Sequence, residues 1–114
     1  VGRRHVRCET PQCGRLWARH HPPSCSNSSP RTCIVQAAQL YHQDVADAEA
    51  VAWCESRDEP DADNGHGDYG LYQFATGTFE ATPYGRHSIF SARYSALAAM
   101  WAWRHGWKDQ WQCQ

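Results

Sequence analysis

The sequence has no apolar run of the length needed to cross a bilayer. It has no hydrophobic leader either: Val1 opens an arginine-rich stretch, and no initiator Met precedes it, as expected of a processed or excised piece. Internal repeats are absent. Net charge is nearly absent too, with 11 Lys and Arg against 12 Asp and Glu and a formal charge of −1. That balance selects no partner. No helix-turn-helix or finger spacing is present, so nucleic-acid binding has little sequence support.

Charge is small in sum but uneven in place. Residues 1–31 carry six arginines (Arg3, Arg4, Arg7, Arg15, Arg19, Arg31) against Glu9 alone. Residues 44–68 carry nine acids against Arg57 alone. A basic arm ahead of an acidic body can meet an anionic surface, or it can be a solvated arm that touches nothing. Pro11, Pro22, Pro23, Pro30, Gly2, Gly14 and the polar run Ser24 to Ser29 make residues 1–32 an irregular segment that needs cross-links or docking to be ordered.

What the chain does have is cysteine and aromatics. Six cysteines in 114 residues point to disulfides and an oxidising compartment. Six tryptophans, five tyrosines and three phenylalanines can build much of a small core. Indole faces also stack on sugar rings, although core burial is the commoner fate of any one Trp.

Helical periodicity predicts three helices. The first runs from Cys33 to about Gln43, capped by Thr32, with Ile34, Ala37, Ala38 and Tyr41 on one face. The second is capped by Asp44 and ends near Arg57, with Val45, Ala48, Val51 and Ala52 inward and Asp47 and Glu49 at its electropositive start. The third is capped by Ser91 and runs from about Ala92 to His105, with Gly106 placed to end it in a left-handed conformation. Residues 58–70 read as a loop of Asp, Asn, Gly and Pro. Tyr69 to Phe74 reads as a short extended piece, followed by a helical turn from Thr76 or Thr78 that Pro83 stops. The pattern is mainly α with one small extended element.

Glu55 stands out chemically. It closes the run Ala50-Val51-Ala52-Trp53-Cys54-Glu55-Ser56, a carboxyl at the end of a mostly apolar helix. Burial there disfavours the charged form and suits a general acid near neutral pH. On the local sequence alone, a partly exposed Glu that pairs with Arg57 or caps a turn is the favoured reading.

The order of the later segments decides between these readings. Glu55-Ser56 is followed by the acidic loop, then Tyr69-Gly70-Leu71-Tyr72-Gln73-Phe74, then an Ala-rich helix, then Gly106-Trp107 and Trp111-Gln112-Cys113. From about Asp44 to Cys113 this resembles the lysozyme-like lytic transglycosylases, and among them the small actinobacterial type that includes the resuscitation-promoting factors. The resemblance implies a lysozyme-like (α+β) domain over residues 33–114, behind a cysteine-rich arm over residues 1–32. It implies cleavage of the MurNAc–GlcNAc β-1,4 bond of peptidoglycan, with Glu55 protonating the glycosidic oxygen. It implies Ser56, Tyr69, Gly70, Tyr72, Gln73 and Phe74 at the substrate cleft, with Trp107 as the sugar-stacking aromatic. It also implies a disulfide between Cys54 and Cys113, which by loop-closure entropy contributes on the order of 4 kcal/mol.

Two chemistries stay open. A transglycosylase works with one carboxyl, the substrate's own C6 hydroxyl giving a 1,6-anhydro end. A hydrolytic lysozyme wants a second acid, and Asp58, Asp61, Asp63 and Asp68 all lie in the right loop. A non-catalytic peptidoglycan-binding module on the same fold is the third reading. Asp61-Ala-Asp63-Asn64-Gly65 is a poor calcium loop, with Gly one place early and no Glu at the twelfth position. Four thiols could hold zinc, but Cys8-x4-Cys13 and Cys25-x7-Cys33 are looser than zinc knuckles, and local disulfides Cys8–Cys13 and Cys25–Cys33 are expected instead. No cofactor or metal is expected. The protein is expected to be a monomer that acts on the wall from outside the cytoplasm or from a phage particle.

Overall fold

The computed structural model describes residues 24–111 and Cys113. The basic stretch before Ser24, with Cys8 and Cys13 and their expected pairing, lies outside the described residues. The described residues form four α-helices and a two-stranded hairpin: α1 (Pro30–Leu40), α2 (Val45–Ser56), β1 (Asp68–Tyr69), β2 (Phe74–Ala75), α3 (Thr76–Glu80) and α4 (Ala92–Arg104). A single 3-10 turn, Lys108–Gln110, precedes the tail.

α1 starts three residues before the expected Cys33. Pro30 occupies its first turn, where the missing N–H costs nothing and the fixed φ is already helical. Ser29, not Thr32, therefore holds the N-cap position. The helix also stops earlier than Gln43, because His42 turns left-handed at φ 58°. Gln43 then donates back to the Ala38 carbonyl at 2.8 Å, closing the end in a Schellman turn. The expected boundary between arm and body at 32/33 falls inside this helix.

Residues just before α1 are tied to the body. Cys25 is buried and bonded to Cys33. That disulfide removes both thiols from the zinc alternative. Asn27 spans to the start of α4, donating to the Phe90 carbonyl at 3.0 Å and accepting from the Ala92 amide at 2.8 Å. Arg93 donates to the Cys25 carbonyl at 3.1 Å.

The two later caps form as the sequence implies. Asp44 accepts from the Asp47 amide at 2.8 Å, and Ser91 accepts from the Tyr94 amide at 3.2 Å. Gly106 takes φ 89° and ends α4. Trp107 donates to the Ala102 carbonyl at 2.9 Å, and its ring meets Trp101 edge-on at 5.3 Å.

The core lies where α1 and α2 pack, with α4 laid across α1. Alanine fills most of those helix contacts: Ala37, Ala38, Ala48, Ala52, Ala92, Ala96, Ala98, Ala99 and Ala102 are all buried. At the other end the core is aromatic. Phe74 meets Phe79 at 5.4 Å and Trp111 at 5.3 Å, and Trp103 packs on both Tyr72 and Trp111.

One expected element is different. Tyr69 to Phe74 is not continuously extended: β1 and β2 pair antiparallel, Tyr69 opposite Phe74, and residues 70–73 form the turn between them. Gly70 adopts φ 84°, and a Cβ there would sit 2.3 Å from the Ile89 carbonyl oxygen. Two independent constraints thus require glycine at this position.

Ser56 fastens this hairpin to α2. Its buried hydroxyl lies 2.7 Å from the Leu71 carbonyl and 3.1 Å from the Ala52 carbonyl. With one proton to give, the shorter contact is the principal bond. Ser56→Ala should leave the Leu71 carbonyl without this donor and cost about 1–3 kcal/mol, read as a lower urea midpoint with helix content unchanged.

Candidate active site

Glu55 sits on the last turn of α2, half-buried, at one wall of a cleft of about 270 Å³. The chain leaves α2 abruptly: Arg57 and Asp58 are both left-handed, at φ 55° and 61°. Non-glycine residues adopt this conformation at a cost of order 1–2 kcal/mol each, so the surroundings must enforce it. The Ser56 bond does so from one side. From the other, the Arg57 guanidinium donates to the Trp53 carbonyl at 3.1 Å and lies 5.3 Å from the Trp53 ring centre.

The opposite wall comes from the hairpin and its loop. Asn64, Asp68, Gln73, Phe74 and Ala75 line the cleft there, with Thr78 of α3 beside them. Gln110 and Trp111 close it from the tail. Most of these side chains are polar, and Phe74 and Trp111 give the cleft its aromatic lining.

Three of the lining side chains are held from behind. Gln73, left-handed at φ 52°, donates through Nε2 to the Gly70 carbonyl at 3.0 Å and the Ala62 carbonyl at 3.3 Å. Its amide oxygen is then the group it can offer. Asn64 donates through Nδ2 to Asp68 Oδ2 at 2.9 Å and accepts from the His66 amide at 2.7 Å. Trp111 donates through Nε1 to the Tyr72 carbonyl at 2.8 Å.

Burial pushes the Glu55 carboxyl above its usual range. The Cys113 backbone N–H pulls the other way, and the nearby charge of Asp68 adds to the rise. A shift in this direction is what a general acid requires. Asp58 is also raised by burial, opposed by Arg31 and reinforced by Glu49, but it is not among the residues lining the cleft.

The site residues expected from sequence divide. Glu55, Gln73 and Phe74 meet at the cleft. Tyr72 does not: it is fully buried, its hydroxyl donating to the Ala48 carbonyl at 2.7 Å. In an extended piece alternate residues share a face, but the tight turn rotates Tyr72 into the core. Ser56 is 8% exposed and Gly70 is also buried, so both shape the cleft from behind. Tyr69 packs edge-on against Phe90 at 5.8 Å. Trp107 packs against Trp101, and Trp111 takes the place at the cleft expected of it. A signal for Trp111 existed: it lies two residues before Cys113, and Cys113 is bonded to Cys54 beside Glu55. Asn64, Ala75, Thr78 and Gln110 carried no such signal. Of the four loop acids, Asp68 alone lines the cleft.

A half-buried acid at a helix end, facing a short hairpin across a polar cleft, defines a lysozyme-like glycan-cleaving domain. The family model described as the transglycosylase SLT domain matches residues 32–101, well over half of the chain, and the chain belongs to that family. Its activity is therefore of the peptidoglycan lytic transglycosylase type. Comparisons with curated proteins and with solved structures gave no match.

The raised Glu55 carboxyl has a consequence for stability. The folded protein binds this proton more tightly than the unfolded chain, so stability from it is present below the usual Glu range and lost as pH rises through the raised value. Gln is neutral throughout. Glu55→Gln should melt with wild type at acid pH and gain on it as pH climbs through that window, measured by thermal unfolding across a pH series.

Proposed function

We propose that this chain is a lytic transglycosylase that cuts the MurNAc–GlcNAc β-1,4 bond, with Glu55 as its acid. The observation that carries the reading is a carboxyl raised by burial at the wall of a polar, aromatic-floored cleft. In the first step Glu55 gives its proton to the glycosidic oxygen as the C1–O bond breaks. In the second, the C6 hydroxyl of the same MurNAc attacks C1 and returns its proton to the Glu55 carboxylate. One bond breaks and one forms, no water is consumed, and the acid is regenerated by the substrate. A single carboxyl suffices, and the product ends in a 1,6-anhydro sugar.

Gln73, through its amide oxygen, and Asn64 and Gln110 bind sugar hydroxyls and N-acetyl groups. Phe74 and Trp111 present apolar surface to the ring faces. The Cys54–Cys113 bond supports the likeness to the small actinobacterial type. The two disulfides support work outside the reducing cytoplasm, secreted or wall-associated, or in a phage particle. The arginines before residue 32 add attraction to an anionic surface, and the domain works as a monomer.

A specific observation favours hydrolysis as the second reading: Asp68 lies in the same cleft as Glu55. A carboxylate there could activate water in the manner of paired-acid glycosidases.

Purified peptidoglycan digested with wild type and with Glu55→Gln, followed by mass spectrometry, separates these readings. Expected are 1,6-anhydro muropeptides from wild type and at least a hundredfold less from the variant. Reducing ends instead would make the enzyme a hydrolase and direct attention to Asp68→Asn. Full activity in Glu55→Gln would overturn the assignment, and no release by either protein would leave a binding module.

A further inference from the structure

α4 has two faces of different character. On its inner face the Ser95 hydroxyl accepts from the Tyr72 amide at 3.2 Å, and Trp103 packs on Tyr72 and Trp111. Trp111 lines the cleft, so the outer face of α4 is turned away from it. Tyr94, Leu97 and Trp101 recur at helical spacing along that outer face and are only partly buried. Arg93 and Arg104 flank them and are exposed. Three turns of helix separate the two arginines, which leaves them within about 20° of each other around the axis and about 16 Å apart along it. Two imidazoles stack on the same stripe: His87 on Tyr94 at 3.6 Å and His105 on Trp101 at 4.3 Å.

Charge divides the domain in the same way. Residues 81–108 carry Arg86, Arg93, Arg104 and Lys108 and no Asp or Glu, whereas residues 44–68 carry nine acids against Arg57. Lys108 is paired with Asp47. Arg93 donates to the Cys25 carbonyl at 3.1 Å, a contact that fixes the guanidinium without neutralising it. The acids closest in sequence are Glu80, whose backbone lies against Gly85, and Asp109 beside Lys108.

We propose that the outer face of α4 is a second wall-binding surface, which holds the stem-peptide carboxylates of one peptidoglycan strand while the cleft works on another. The inference rests on peptidoglycan being the substrate, and not on the role of Glu55. Stem peptides end in carboxylates, and a guanidinium pairs with a carboxylate through a planar, two-pronged contact. Tyr94 and Trp101 add rigid apolar area between the cations. The acids of residues 44–68 repel the same carboxylates, so in a crowded anionic wall the charge of the domain turns α4 toward the neighbouring strand. A strand held there leaves the cleft open, because the two surfaces face apart. Residues 1–23 carry five arginines against Glu9, so by charge they do not compete for this face.

The test uses the full chain and a free stem tetrapeptide, which has no glycosidic bond to cut. Titrated into wild type, the peptide should shift the indole N–H signals of Trp101 and Trp107 by NMR. The shifts should shrink with added salt and vanish once the peptide carboxylates are amidated. Shifts confined to the cleft residues Asn64, Gln73 and Trp111, or to residues 1–23, or indifferent to amidation, would overturn the proposal with no variant needing to fold. On insoluble peptidoglycan stripped of phosphate polymers, R93E/R104E should be retained roughly tenfold more weakly than wild type, and R93K/R104K should be retained like it. Fragment release from soluble, stem-free glycan strands should stay at the wild-type rate in both. Retention that survives charge reversal while that release is normal, or that needs a phosphate polymer on the wall, would also overturn it. The peptide titration involves no cleavage, so its result stands even if Glu55→Gln proves active or the domain cuts nothing.

Discussion

The bond from the Ser56 hydroxyl to the Leu71 carbonyl joins the two halves of the cleft. Glu55 belongs to a helix, and the residues that face it belong to a hairpin of two-residue strands and its loop. So short a hairpin has no stability of its own. It is held by one buried hydroxyl at the end of α2, by the approach of Gly70 to Ile89, and by the aromatic pile of Phe74, Phe79 and Trp111. The residue adjoining the acid in sequence therefore sets where the opposite wall stands.

The electrostatics of the cleft follow from that geometry. Burial and Asp68 favour the proton on Glu55, and the Cys113 amide favours its loss. In the proposed mechanism Glu55 acts as acid and then as base within one turnover, and such opposed influences serve both halves of that reaction. Asn64 shares in this balance by committing one amide hydrogen to Asp68.

Much of this was legible in the residues. Asp44 and Ser91 announced two helix starts, Gly106 an end, and the order of Glu55, the acidic loop and Gln73 a cleft. What could not be read was direction. Whether residues 70–73 run straight or turn depends on Ile89, which is distant in sequence and blocks any side chain at Gly70. That turn is why Tyr72 faces Ala48 and not sugar. The choice between Trp107 and Trp111 was likewise tertiary: Trp107 is claimed by the Schellman end of α4, and Trp111 by the carbonyl of Tyr72. At α1 the competing signals were local, and the preference of Pro30 for a first turn outweighed the capping potential of Thr32.

The alanine-rich contacts among α1, α2 and α4 bear on how this domain can drift. A core built from large side chains fails by losing volume, and a leucine cut to alanine leaves a void. Here nine of the twenty buried apolar residues among those described are already alanine, so little remains to be removed. The hazard is the opposite one. Ala37, Ala96 and Ala99 are fully buried, so a larger side chain there has to displace its neighbours, an overpacking cost of typically about 1–3 kcal/mol. Toward smallness glycine is the one step left, and inside a helix it costs about 1 kcal/mol, so this seam has little room to change in either direction.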